Sequence, residues 1–252
     1  MGIVAASPIL WLLVANLQAG ADASLPEVIA RHTRAIGGAG ALHSIRSLRI
    51  TLTIVEPTFH VDAVYVADRG MHMRIDVSAG GRRIYSEGFD GAEAWQMGED
   101  AATVKEESAA GAKALQNGIL VPDRFYSLDD LRAKGHDLQM EGRESVGGVS
   151  YYVLRLTVHA SVTHLYVHPT SWLIERTRET KPLHPDIDPT PQTTETVYSD
   201  FRTVDGVVRP FRSVRTNLDN GNVLQTETIQ KVETNPDLSH SFFARPSVSP
   251  AR

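Results

Sequence analysis

The 252-residue chain contains no cysteine. Disulfides, thiolate metal sites, thiol nucleophiles and a lipid-modified cysteine are therefore excluded within these residues. It also lacks an excess of positive charge: 25 Lys+Arg stand against 30 Asp+Glu, a net charge of −5, with no basic run. Nucleic acid and anionic membrane surfaces call for a positive excess, so neither is an expected partner. The phosphate-cradling Gly-x-x-x-x-Gly-Lys, the nucleophile elbow Gly-x-Ser-x-Gly and the zinc-protease His-Glu-x-x-His are all missing, which lowers the case for an enzyme. No repeat of fixed period is visible, which argues against a propeller or solenoid. The apolar run Pro8–Ala15 is soon broken by Asn16 and Gln18, well short of the roughly 20 apolar residues that a membrane helix needs.

That short run, followed by the small-x-small pattern Ala21-Asp22-Ala23, reads as an export leader over 1–23, cleaved before Ser24. The remainder, 24–252, is expected to form one domain. Its 42% hydrophobic and 22% charged residues are an ordinary globular composition.

The mature chain is expected to open with a helix. Ser24-x-x-Glu27 has capping-box spacing, Pro26 is tolerated in a first turn, and Leu25, Val28, Ile29, His32 and Ile36 recur at helical intervals until Gly37-Gly38. On that stripe His32 is expected to be a packed histidine, not a ligand. From Ser44 the period changes to two. Leu48, Ile50, Leu52 and Ile54 alternate with polar residues. So do Phe59, Val61, Ala63 and Tyr65, and then Met71, Met73, Ile75 and Val77. Each segment has one apolar and one polar face, the mark of antiparallel strands with one wet side. Gly80-Gly81, Asp90-Gly91, Gly147-Gly148, Asp205-Gly206 and Asn220-Gly221 suit tight hairpins, so a meander is the simplest topology.

Between Val104 and Lys134 the composition turns helical, with Gly118 and Pro122 splitting the stretch and Ala112, Leu115, Ile119 and Leu120 offering a modest apolar stripe. Strands resume at Leu138, Tyr151–Val158, Val162–His168 and Trp172–Thr180. After the proline-rich loop Pro182–Pro191 come Thr193–Thr203, Val207–Asn217 and Asn222–Glu233. The expected fold class is mainly β (α+β): a curved antiparallel sheet covered by helices, able to leave a cavity between the two.

Candidate chemistry is sparse. His164 and His168 share a strand face, but four residues separate them by about 13 Å, too far for one zinc; His159 does not shorten that gap. His184-Pro185-Asp186-Ile187-Asp188 reads as a solvated, rigid turn, and the acid pairs Glu99-Asp100, Glu106-Glu107 and Asp129-Asp130 read as solvated faces. No catalytic residue, metal ligand or cofactor is assigned. The aromatics Phe59, Tyr65, Phe89, Trp95, Tyr152, Tyr166 and Trp172 suit either a core or an apolar pocket.

Several stretches resemble the periplasmic lipoprotein-carrier superfamily (LolA/LolB-like, including outer-membrane lipoprotein-sorting proteins). They are Ala35–Leu48, Phe89-Asp-Gly-Ala-Glu-Ala-Trp-Gln-Met97, Lys134–Gly148 running into Tyr152-Val-Leu-Arg-Leu-Thr157, Tyr198–Phe211, and Asn235-Pro-x-Leu-x-x-x-x-Phe243. The resemblance implies a half-open β-barrel covered by helices, periplasmic residence, and an apolar cavity for a lipid or lipoprotein acyl chain. Its expected lining is Leu52, Ile54, Phe59, Tyr65, Met73, Ile75, Trp95, Leu154 and Leu156. A membrane-associated protein is a further expected partner. A non-catalytic interaction module is the alternative, and a secreted hydrolase ranks behind both.

Overall fold

A computed structural model describes residues 22–100, 103–182, 185–186 and 188–247. The apolar run and Ala21 of the expected leader lie outside them, as do His184 and Ile187 of the proline-rich loop.

Thirteen strands make one antiparallel sheet: β1 (Ser47–Glu56), β2 (Phe59–Asp68), β3 (Met73–Ala79), β4 (Arg82–Phe89), β5 (Ala94–Met97), β6 (Val104–Glu106), β7 (Asp137–Val146), β8 (Val149–Val158), β9 (Ser161–Val167), β10 (Ile174–Lys181), β11 (Gln192–Val204), β12 (Val207–Asn217) and β13 (Val223–Thr234). From edge to edge the order is β6-β5-β4-β3-β2-β1-β13-β12-β11-β10-β9-β8-β7. Each half is a meander, as the turn chemistry suggests. The halves are joined by β13, which returns to pair with β1 as well as β12. The edges β6 and β7 do not meet, so the barrel stays half-open.

The expected turn residues lie where hairpins need them. Gly80-Gly81, Gly147-Gly148 and Asp205-Gly206 all have positive φ, matching the twist of the strands they join. The β8–β9 turn does the same with His159 (φ 45°) and Ala160 (φ 68°), residues that carry no turn signal.

Helix α1 (Leu25–Ala35) follows its apolar stripe, and Ser24 is its N-cap residue, but the Ser24 hydroxyl makes no capping bond. Glu27 pairs with Arg31 one turn on, so the expected capping box does not form. A second helix, α2 (Ala39–Ser44), fills the stretch after Gly37-Gly38. Gly37 is indispensable at this corner. Its φ is +110°, and a Cβ would stand 1.8 Å from the carbonyl oxygen of Gly206. That closeness lets Val208 N–H donate to Ile36 O at 2.9 Å, pinning the end of α1 to the β11–β12 turn.

The helical middle yields β6, α3 (Ala109–Ile119) and α4 (Leu128–Ala133). Gly118 lies inside α3; the break comes after it. Ser108 caps α3 by accepting from Gly111 N–H at 3.0 Å. At α4 a true capping box forms, Ser127 with Asp130.

The helices cover one face of the sheet. On that inner face Leu48, Ile50, Leu52 and Ile54 of β1 stand opposite Ala67, Tyr65, Ala63 and Val61 of β2. With Leu154, Leu156 and Leu165 from the far wing they form one core with Val28 and Ile29 of α1, Leu42 of α2, Leu115 and Ile119 of α3, and Leu128 and Leu131 of α4.

Candidate functional site

Six of the nine expected lining residues come together on the inner face: Leu52, Ile54, Tyr65, Met73, Leu154 and Leu156 are all buried in that core. Ile75 is half-buried against it. The seat is filled by the protein's own helices: Leu115 and Ile119 of α3 share this core.

Two residues fall elsewhere. Trp95 is fully buried, but on the opposite face. It stands beside Gly88, and its Nε1–H donates to Phe243 O at 3.0 Å. Arg74 lies over its ring at 5.5 Å. Phe242 and Phe243 of the C-terminal segment cover this outer patch, with His72 stacked on Phe243 at 5.4 Å. A buried aromatic looks alike in sequence whichever face it serves, and the covering segment is over 140 residues away in the chain. Phe59 begins β2 at the tip of the β1–β2 hairpin and is 44% exposed. The alternation that ought to turn it inward runs past the end of the cover.

The apolar inner face is also not continuous. In β11–β13 its upper part carries Thr194, Thr196, Asn217 and Gln225, all buried and polar. Asn217 donates to Gln192 and Gln225 to Glu56. The apolar seat is thus confined to the two wings and the end of the sheet nearer α1.

At that end, the floor, buried polar groups lock the helices to the sheet. His32 is fully buried. Its Nδ1 faces Trp172 O at 2.7 Å and its Nε2 faces an Asp123 carboxylate oxygen at 2.8 Å. With an acceptor at each ring nitrogen, this geometry favours the imidazolium form. Burial pulls its pKa down, but the Asp123 charge and the two hydrogen bonds outweigh burial and raise it. His32 thus has the packing role expected of it. Arg69 clamps the same corner by donating to the Ile45, Leu42 and Phe125 carbonyls.

Two further arginines face inward here, and sequence reading gave no hint of them. Arg209 of β12 is buried and donates to Asp123 O at 3.0 Å and Arg124 O at 3.2 Å. Burial pulls its pKa down to about 10, with Arg124 adding to the fall against Asp123. Arg124 donates to Gly118 O at 2.7 Å, at the end of α3, and its guanidinium lies 4.5 Å from the Tyr65 ring centre. The Tyr65 hydroxyl and the Arg209 Nε–H are buried without a hydrogen-bond partner.

One expected surface acid turns inward. Glu107 is buried, its carboxyl pushed up to about 8 by burial, then by the Asp186 and Glu87 carboxylates. Asp186, exposed and in a turn as expected, accepts from Ser108 N–H at 3.0 Å and from the Ser108 hydroxyl, which ties the proline-rich loop to the start of α3. Burial, with Glu87 and Glu107 beside it, raises the Tyr85 phenol far above its ordinary value. Among the described residues no group of three or more acids and histidines has metal-binding geometry. His159 pairs with Asn117 and His164 with Glu141, while the His168 ring accepts from the N–H groups of Thr170 and Ser171.

No protein-family model matches the chain, and no curated protein does. Solved structures do. A LolA-superfamily protein of Nitrosomonas europaea superposes with a TM-score of 0.56 at 13% identity, over 88% of this chain and 98% of that one. An outer-membrane lipoprotein-sorting protein domain of Vibrio parahaemolyticus gives 0.54 at 10% identity, over 86% and 94%. A DUF1329-family protein of Desulfovibrio piger gives 0.54 at 12%, over 86% and 95%. At such identities the likeness is one of fold, and the fold is LolA-like.

Proposed function

From the premise that the chain has the LolA-like fold, we propose that it is a periplasmic carrier for a hydrophobic ligand, the acyl chain of a lipid or lipoprotein. It reaches the periplasm on the leader 1–23, cleaved before Ser24, and residues 24–252 act as one domain. One observation carries the reading: the apolar inner face of an open sheet is covered by helices instead of by a second sheet. A helical cover can lift without breaking a strand ladder. The weakest part of that cover is α3, with the sequence AAGAKALQNGI. Only Leu115 and Ile119 anchor it firmly, and two interior glycines each cost about 1 kcal/mol of helix propensity relative to alanine. An acyl chain entering beneath it would meet Leu52, Ile54, Met73, Leu154 and Leu156, gaining about 0.8 kcal/mol per buried methylene. No catalytic step is assigned to these groups.

A second reading rests on a different observation. Val55 and Phe59 on the β1–β2 hairpin and Leu218 and Val223 on the β12–β13 hairpin are exposed, and the pairing of β1 with β13 places both tips at one end of the sheet. An interaction module, its interior filled by its own side chains, would dock a membrane-associated protein there.

Native mass spectrometry, with lipid extraction, on protein purified from a periplasmic fraction without detergent separates the two. The carrier reading expects a co-purifying acyl species, lost in a folded Leu52→Asp/Ile54→Asp variant. A clean apo mass that takes up no added oleate contradicts it.

A further inference from the structure

The arginines of this protein fall into two groups. Several are neutralised by carboxylates, Arg74 by Asp76, Arg155 by Asp137, and Arg176 and Arg178 both by Glu195. Arg124 and Arg209 are not. Among the described residues neither has a carboxylate within ion-pair distance, although Arg209 is among the buried residues of the sheet. The Asp123 carboxylate meets His32 through Oδ2, while its Oδ1 is buried without a hydrogen-bond partner and its charge favours the Arg209 cation. One carboxylate is thus set against two guanidinium groups and a histidine whose pKa it raises. A charge out of water is costly unless it is paired, and backbone carbonyls offset only part of that cost. Each guanidinium is satisfied partly by carbonyl oxygens, Gly118 for Arg124 and Asp123 and Arg124 for Arg209. Two donors are left over: the Arg209 Nε–H and the Tyr65 hydroxyl, the latter on the ring that Arg124 covers. Arg69, close by, shows the contrast. Its Nε–H and Nη2 donate to three carbonyls and tie α2 to the sheet, so its role is structural.

The surplus positive charge and the idle donors border the apolar seat. Tyr65 stands opposite Ile50 on the inner face, and Leu52 follows two residues along the same strand, about 7 Å away. We infer that the ligand carried by this fold is an amphiphile with an anionic head group, a carboxylate or a phosphate, seated on Arg124, Arg209 and Tyr65 with its chain along the Leu52–Ile54 wing. The inference rests on the carrier reading and narrows it. The head group's oxygens accept from the Arg209 Nε–H and the Tyr65 O–H. They also replace the Gly118 carbonyl on Arg124, so binding competes with the contact between Arg124 and the end of α3. Entry of the head and release of the cover are then one event.

The test compares three probes with the same oleoyl chain on the mature protein at pH 7.5: oleate, oleoyl lysophosphatidate and neutral monooleoylglycerol. The expected result is at least ten-fold tighter binding of one or both anions than of monooleoylglycerol, and the tighter anion identifies the head group as carboxylate or phosphate. Arg124→Gln should bring the ratio of anion to monooleoylglycerol affinity below about three-fold. Arg124→Lys should retain most of it, and Tyr65→Phe should reduce it a few-fold. Arg209→Gln should act like Arg124→Gln; if it fails to fold, the Arg124 and Tyr65 variants still decide. Equal affinity for all three probes, or a preference that survives Arg124→Gln, overturns the anionic head group and leaves the carrier reading standing. Binding of none of the three overturns both.

Discussion

The floor of the half-barrel and the helix that crosses its inner face are built on different terms. At the floor, α1, α2 and α4 bury large side chains completely, Val28, Leu42, Leu128 and Leu131 among them. Directed hydrogen bonds then key these helices to the sheet and its turns: His32 to the Trp172 carbonyl, Arg69 of the β2–β3 turn to the Ile45 and Phe125 carbonyls beside the helices, and the Val208 N–H to the Ile36 carbonyl. Helix α3 has two buried large side chains, two interior glycines and a start tied to one loop aspartate. One region is fastened along its length by large buried side chains and directed hydrogen bonds, the other by two apolar anchors and by hydrogen bonds near its two ends, at Ser108 and at Asn117 and Gly118. A carrier needs that difference: a floor that holds the sheet's curvature and a cover that yields.

The largest expected effect comes from breaking the floor. Gly37→Ala forces a side chain into a left-handed backbone and against the Gly206 carbonyl, and should cost about 4 kcal/mol or more, the sum of conformational strain and overpacking. Urea unfolding measures it; a loss under about 1 kcal/mol would mean that α1 and the β11–β12 turn are not locked as described.

The start of α3 should respond to pH through Glu107. Its folded pKa of about 8 lies above its ordinary value, so the folded state holds a proton that the unfolded chain releases. Its contribution to stability therefore falls as pH rises from about 4.5 to 8 and levels off above that. Glu107→Gln mimics the protonated acid. It should match the parent near pH 4.5 and be more stable than the parent at pH 9, by parallel urea melts. A variant less stable than the parent at pH 9 would contradict this.

The smallest effect strengthens the cover. At Gly118 a methyl would meet nothing within 4 Å and the backbone is helical, so Gly118→Ala should gain about 0.5–1 kcal/mol. Because the gain falls on α3, it should also slow ligand exchange; unaltered exchange rates with a stabilised helix would separate α3 from the entry route.

Much of this plan was legible in the sequence, and the misses have physical causes. Period-two alternation and paired turn residues place most strands, because both are local. Strand β13 between β1 and β12 is a pairing across most of the chain, and nothing local encodes it. Seven of the nine expected lining residues share the inner face, six of them buried and Ile75 half-buried, because alternation is phase-true within a strand. Trp95 failed because alternation gives two faces without saying which one the helices cover, and here the C-terminal Phe242-Phe243 covers the other. Glu107 read as a solvated acid because composition cannot show that a loop and a helix start converge over it, while Asp186 is exposed as expected. Arg124 and Arg209 were invisible for the same reason: a buried arginine differs from a surface one only by what surrounds it.

The central claim is that α3 is the yielding cover of an acyl seat while the floor stays fixed. Hydrogen exchange on the mature protein, read by mass spectrometry with and without oleate, tests it most directly. The account predicts that the amides of α3 exchange far faster than those of β1 and α4 in the free protein, and that oleate changes protection in α3 and leaves the floor unaltered. Protection of α3 equal to that of α4, indifferent to oleate, would contradict it.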